Sequence, residues 1–236
     1  MMNKKWYSFS ESLEYNGTEP AFFNIENKPW AKLLKANHAV ILSEIIQLID
    51  ANDKGIIPYF NKTLASNAND WTILPLYVWG KKNEINATNC PVTTKIIESI
   101  TGLTSCSFSI LNPHTTIKPH HGDSNVMYRC HLTLKCDDGL PQIGMRVKDE
   151  TIEWKNGEIF AFCDAYEHEV WNKTDSKRLV LILDVIREDF ENDKKQICAE
   201  VNATMFWQLK FQKFYFIKHL PKWSRKLLLK ITAVFF

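Results

Sequence analysis

Apolar and polar positions alternate in two different rhythms along this chain. From about Ala36 to Ala51, the residues Val40, Ile41, Ile45, Ile46, Leu48 and Ile49 recur at helical spacing, and Gly55 follows as a stop. A second helix is predicted over Val92 to Ile100, between Cys90-Pro91 and Gly102. Thr72 to Trp79 is rich in β-branched and aromatic residues, ends at Gly80 and reads as a strand. From Ser105 to about Ile186 the period shortens. Apolar runs at Cys106–Leu111, Met127–Lys135, Ile143–Val147, Thr151–Trp154, Glu158–Cys163, His168–Asn172 and Leu179–Ile186 are separated by turn residues such as Asn112-Pro113, Asp138-Gly139, Lys148-Asp149 and Asn156-Gly157. That spacing predicts a mainly β fold with flanking helices, built on a sandwich, barrel or jelly roll and not on a βαβ sheet. Residues 1–35 show no such period, and turns at Asn16-Gly17 and Glu19-Pro20 predict a segment wrapped over the surface. The expected layout is an irregular, partly helical support over 1–70, a β domain over 71–190 and a helical tail over 191–236.

The tail changes the picture. Phe206, Trp207, Phe211, Phe214, Tyr215, Phe216 and Trp223 lie among lysines, and Pro221 is expected to divide it into two helices. No acidic residue follows Glu200, whereas Lys210, Lys213, Lys218, Lys222, Arg225, Lys226 and Lys230 do. The formal net charge is only +2, so the first 200 residues are net acidic and the overall balance gives no nucleic-acid signal. No run of eighteen uncharged apolar residues could span a bilayer. Two readings of residues 203–236 remain: a basic amphipathic segment in peripheral contact with a membrane, or helices folded back on the core with their lysines in water. Six cysteines show no CxxC spacing, and Met-Met-Asn-Lys-Lys-Trp is no signal peptide, so the thiols read as reduced and the protein as cytoplasmic.

Candidate chemistry concentrates in Lys118-Pro-His-His-Gly-Asp-Ser-Asn-Val-Met-Tyr-Arg-Cys-His131, which holds three of the seven histidines. About fifty residues downstream stands Tyr166-Glu-His168-Glu-Val-Trp-Asn172, and Arg178 follows ahead of an apolar run. Imidazoles suit iron, zinc or copper. A buried arginine needs an anionic partner. Together they suggest a metal site that also holds a carboxylate ligand. The facial arrangement of two histidines and one carboxylate is usually spaced His-x-Asp/Glu with a distant histidine. Two registers are open: His121-Gly-Asp123 fits directly, whereas His120 has Gly122 at the carboxylate position.

These residues resemble the aspartyl/asparaginyl β-hydroxylases, a family of Fe(II)- and 2-oxoglutarate-dependent oxygenases with a double-stranded β-helix (cupin-like) core. The resemblance covers roughly residues 70–188 and is densest in three blocks: Phe108–His120, His120–Leu132 and Phe162–Val185. In the family pattern the first metal histidine stands nine residues before an arginine and eleven before a further histidine. Counting back from Arg129 and His131 gives His120. The resemblance therefore implies His120 and His168 as iron ligands, with Gly122 in place of a carboxylate as in the family's two-histidine members. It implies that Arg178, ten residues after His168, grips the distal carboxylate of 2-oxoglutarate, a role suited to a planar guanidinium fork. Ser109, Arg129 and His131 match the remaining contacts to that cosubstrate. His121, Asp123, Asp164, Glu167 and Glu169 would surround the ligands as orienting or substrate-facing groups.

Several positions depart from the family. Cys163 and Ala165 replace a common aspartate and serine, Ile186-Arg-Glu188 replaces a Trp-His-Pro or Trp-Arg-Pro, and a glycine common before the first ligand is lost around His114. These sites border the ligands or the substrate mouth. The expected reaction uses dioxygen and 2-oxoglutarate to hydroxylate an unactivated C–H, foremost the β-carbon of an aspartyl or asparaginyl residue or amino acid. A lipid acyl chain at a membrane surface is the second candidate substrate. A non-catalytic jelly-roll binding module is the alternative of another class, and retention of Arg178, Arg129 and His131 argues against it.

Overall fold

Strand order, more than strand content, decides how the chain brings its polar residues together. The structure, a computed structural model, describes residues 4–8, 10, 14–213 and 219–236, apart from the side chains at 208 and 211–213. In chain order these form β1 (Phe22–Phe23), α1 (Pro29–Ala36), α2 (His38–Asp50), β2 (Ile57–Pro58), β3 (Trp71–Val78), β4 (Lys81–Lys82), α3 (Glu84–Asn89) and α4 (Pro91–Glu98). There follow β5 (Leu103–Leu111), β6 (Thr115–His120), β7 (Met127–Lys135), β8 (Ile143–Val147), β9 (Glu150–Ile152), β10 (Ile159–Phe162), β11 (His168–Asn172), β12 (Arg178–Ile186), α5 (Lys194–Lys213) and α6 (Lys222–Ala233). The larger sheet runs β1-β10-β7-β12-β5-β3-β2, with β4 beside β3, and the smaller runs β6-β11-β8-β9. From β5 to β12 the chain passes back and forth between the two sheets, and every pair is antiparallel. That winding is a double-stranded β-helix, one of the architectures the spacing of the apolar runs left open and the one the resemblance implies.

The larger sheet is buried on both faces, and the two faces differ in chemistry. On β12, Leu179, Leu181, Leu183 and Val185 pack with Leu34 of α1, Ile41 and Ile45 of α2 and Ile97 of α4. Burying each such leucine contributes roughly 1.5–3 kcal/mol. The alternate positions Arg178, Val180, Ile182 and Asp184 face the interior between the sheets, because side chains on a strand repeat with period two. Ser109 of β5 and Arg129, His131 and Thr133 of β7 share that inner face. Both faces of β12 are thus covered, which is why Leu179–Ile186 reads as a nearly continuous apolar run.

Each of the seven runs predicted between Cys106 and Ile186 contains a strand, as does Thr72–Trp79. The helix expected over about 36–51 is α2, which starts at His38 because the backbone leaves helical geometry at Asn37, where α1 ends. Residues 1–35 do not simply wrap the surface. Trp6, Tyr7, Ala21, Ile25, Ala31 and Leu34 are buried. Ser8 N–H donates to the Asp123 carbonyl, Ser124 Oγ donates to the Trp6 carbonyl, and Asn125 accepts from Trp6 N–H. The segment therefore pins the loop between β6 and β7. Arg187, at a departure from the family pattern, is buried against Glu19 Oε1 (2.9 Å) and the Asn125 carbonyl (3.0 Å) and closes the same clamp. The tail forms two helices, with Pro221 capping α6. Phe214, Tyr215, Phe216 and Lys218 lie outside the described residues.

Candidate functional site

β6 and β11 are neighbours in the smaller sheet, and their register sets His120 opposite His168. Regular pairing from Val170↔Ile117 would place residue 119 opposite His168. One extra residue on β6 brings His120 there instead. This β-bulge turns His120 to the inner face, where unbroken alternation from Thr115 and Ile117 would have aimed Pro119. The two rings lie 4.2 Å apart, tilted by 54°. Nδ1 of His120 is 2.8 Å from the Lys118 carbonyl, and Nδ1 of His168 is 2.9 Å from the Tyr166 carbonyl. A carbonyl only accepts, so both Nδ1 atoms carry the proton and both Nε2 atoms keep a lone pair. Burial pushes His120 down to about 4 and His168 well below the ordinary histidine value, helped by the neighbouring ring. Two neutral imidazoles fixed by backbone carbonyls are metal-ligand geometry. Among the described residues, no group of three or more His, Cys, Asp or Glu side chains converges as a ligand set.

Gly122 shows why. A Cβ at this position would overlap Oδ2 and Cγ of Asp164. The carboxylate that a His-x-Asp motif would supply from residue 122 has its space filled from the β10–β11 turn. Asp164 accepts from Asp123 N–H (3.0 Å) and from Arg129 Nη1 (2.6 Å), and its Oδ1 stands 3.6 Å from His168 Nε2. Burial pushes this carboxyl up to about 7, with the Arg129 cation opposing. Arg129 also grips Asp184 bidentately, at 2.8 and 2.9 Å. Three of its five N–H groups are so committed.

Deeper in the interior stands Arg178, 1% exposed. Its Nη2 donates to Ser109 Oγ at 3.2 Å, while Nε and Nη1 have no partner. The guanidinium lies 4.8 Å over the Trp154 ring. Burial pushes it down to about 10. His131 is also buried, with Nδ1 unpartnered, between the rings of Phe160 and Phe162 at 5.4 and 5.2 Å. Phe162 in turn lies 5.2 Å from His168, so Arg178, Trp154, His131, Phe162 and the histidine pair are continuous. Orphaned buried donors are rare in folded proteins and call for a reason. With Nε and Nη1 unpartnered, this buried guanidinium lacks an anion to offset its charge, and a carboxylate is an anion that such a group binds.

The interior thus gathers His120, His168, Ser109, Arg129, His131, Arg178 and Asp164. Two expected orienting residues are elsewhere. Glu167 and Glu169 pair with Arg146 Nη2 (2.8 Å) and Nε (2.6 Å) on the outer side, because alternation on β11 turns 168 and 170 inward and 169 outward. The proton of His168 goes to a backbone carbonyl and not to either glutamate. His121 is held by the Ala165 carbonyl at 3.0 Å and borders an open cleft of about 460 Å³ with Tyr15, Arg146, Lys148, Asp149, Tyr166 and Glu167. Residues not singled out from sequence complete the wall. Trp71 donates to Ser109 Oγ (3.0 Å), Tyr59 stacks on Trp71 at 3.7 Å, and Trp154 underlies Arg178. Asp184 was foreshadowed by its parity with Arg178 on β12. Nothing local marked Tyr59.

Residues 35–188 match the family model described as aspartyl/asparaginyl beta-hydroxylase. The chain belongs to that family. An ornithine lipid ester-linked acyl 2-hydroxylase of Rhizobium tropici is 30% identical over 71% of this chain and 61% of its own length. The aspartyl/asparaginyl beta-hydroxylase of Mus musculus is 28% identical over 77% of this chain. This chain spans only 27% of that mouse protein. Solved prolyl hydroxylases from Pseudomonas putida and Trichoplax adhaerens overlay at TM-scores of 0.41 and 0.43, with 15% and 12% identity, covering 64% and 66% of this chain and 88% and 81% of theirs.

Proposed function

We propose that this hydroxylase-family chain is an Fe(II)- and 2-oxoglutarate-dependent oxygenase that hydroxylates an unactivated C–H. The observation carrying the proposal is the unpaired, fully buried Arg178 guanidinium in the same interior as two imidazole Nε2 lone pairs. His120 and His168 would hold the iron, Arg178 with Ser109 the distal carboxylate of 2-oxoglutarate, and His131 with the remaining Arg129 N–H groups its other end. Iron and 2-oxoglutarate held there would supply the dioxygen-activating chemistry, the cosubstrate being converted to succinate and carbon dioxide. The protein's part is orientation and exclusion of water. The Lys118 and Tyr166 carbonyls fix the imidazole tautomers, Asp164 offers an acceptor beside His168, and Trp154, Phe160 and Phe162 keep the interior dry.

For the substrate, an aspartyl or asparaginyl side chain, free or within a peptide, is the first reading, supported by the 28% identity to the mouse aspartyl/asparaginyl beta-hydroxylase. An acyl chain is the second reading, supported by the 30% identity to the Rhizobium lipid hydroxylase. The test is anaerobic titration of the purified protein with ferrous iron and 2-oxoglutarate, followed under air by mass spectrometry of aspartyl peptides and of lipids for one added oxygen. A visible charge-transfer band that needs both additions is expected. Folded protein without that band would remove the oxygenase reading and favour a binding module.

A further inference from the structure

The C-terminal helix α6 is apolar on two opposite faces, and the core uses only one of them. Leu229, Leu228 and Ala233 pack inward against a cluster that includes Trp79, Val126, Met127, Ile186 and Val201, and Trp207 Nε1 donates to Thr232 Oγ1 at 3.0 Å. The fold-back reading of the tail accounts for these contacts. It does not account for the other face. Trp223, Leu227 and Ile231 are 71, 51 and 54% exposed, and Val234 is 83% exposed. Spaced by four, four and three residues, they form one stripe along the helix. The helix carries Lys222, Arg225, Lys226 and Lys230 and no acidic residue. Two more cations lie near the end of the chain: Lys81 lies 5.2 Å over the Phe236 ring and Lys210 lies 5.2 Å over the Phe206 ring, with those two rings 6.4 Å apart. No helix among the described residues is long and apolar enough to cross a membrane.

We infer that α6 is a docking surface for a bilayer rich in anionic lipid, lying in the interface with its Trp223–Leu227–Ile231 stripe among the acyl chains and its lysines at the headgroups. Charge decides the occupant. A stripe of large apolar side chains beside cations of a single sign matches a surface that is apolar below and negative above. The apolar cluster under α6 includes Val126 and Met127, which end the loop that begins beside His120. Docking would therefore hold the site's β6–β7 loop close to the lipid surface. The inference rests on α6 alone and stands or falls apart from the oxygenase reading.

The experiment is co-sedimentation of the full chain with vesicles of phosphatidylglycerol and phosphatidylcholine, and with phosphatidylcholine alone. Binding to the anionic vesicles, weakened by high salt and near absent on neutral ones, is expected. The triple variant Trp223→Ser/Leu227→Ser/Ile231→Ser alters exposed positions only. It should keep the parent melting temperature and lose sedimentation. Lys222→Gln/Lys230→Gln should weaken binding by roughly fivefold for each cation removed, on anionic vesicles only. Absence of binding to anionic vesicles, or equal binding by the triple variant, would overturn the inference. So would a wild-type dimer in solution that the triple variant converts to monomer, since the stripe would then be an interface between copies.

Discussion

Replacing Arg178 with methionine should move two measurable quantities in opposite directions. The guanidinium is 1% exposed and keeps one long hydrogen bond, so the folded protein bears most of its desolvation unrelieved. Its depression to about 10 corresponds to roughly 3 kcal/mol against the cation. A base depressed on folding destabilises the native state at every pH below its folded value, so at neutral pH this cost is present in full. Against it stand about 1 kcal/mol for the bond to Ser109 and about 1 kcal/mol for the contact with Trp154. Arg178→Met should therefore stabilise the ligand-free protein by about 1 kcal/mol, a rise in Tm of about 2–4 °C for a chain this size. Removing one partner of a buried ion pair costs about 3 kcal/mol or more, so affinity for 2-oxoglutarate should fall roughly a hundredfold or more. Scanning calorimetry of anaerobic, iron-loaded protein with and without 2-oxoglutarate reads both effects. Parent protein should gain Tm on adding 2-oxoglutarate, and the variant should start higher and gain almost nothing. A variant that melts lower without ligand, yet is still raised equally by 2-oxoglutarate, would show that Arg178 is a structural residue.

Further substitutions separate the parts of the site. His120→Ala and His168→Ala should each abolish the ferrous charge-transfer band while far-ultraviolet circular dichroism stays unchanged. Gly122→Ala should destabilise by about 1–3 kcal/mol in urea unfolding, because its methyl must displace Asp164 from Arg129. Combined with Asp164→Gly it should cost less than the two changes added, and simple additivity would contradict the overlap. Glu167→Gln and Glu169→Gln should leave iron affinity within about twofold, since both side chains face Arg146; a tenfold loss for either would place it at the metal after all.

The β domain was legible because its longer strands are half or fully buried and bounded by turn residues, so period and punctuation agree. The short strand β6 is absent from the predicted apolar runs, although it carries His120, because Thr115-Thr-Ile-Lys-Pro-His120 holds one large apolar residue. Spacing alone left His120 and His121 open, since a slip of one residue exchanges the faces of a strand. The family pattern implied His120, and the bulge on β6 sets that residue opposite His168. The Arg129–Asp184 and Arg129–Asp164 pairs join residues 55 and 35 positions apart and left no local trace. The first 35 residues were misjudged for a related reason. Trp6, Tyr7, Ala21 and Ile25 are sparse and aperiodic, and they are buried by residues distant in the chain: Trp6 bonds the loop at Ser124 and Asn125, and Ala21 and Ile25 join the core clusters.

The overlap at Gly122 also limits how such a site can change by mutation. An aspartate at 122 would meet a neighbour already in its place, and removing Asp164 first would strip Arg129 of one of its two anions. Either single step passes through a damaged intermediate. A lineage moving between two-histidine and carboxylate-bearing centres on this scaffold would have to alter both positions together, so the two arrangements stand on separate peaks with a valley between them.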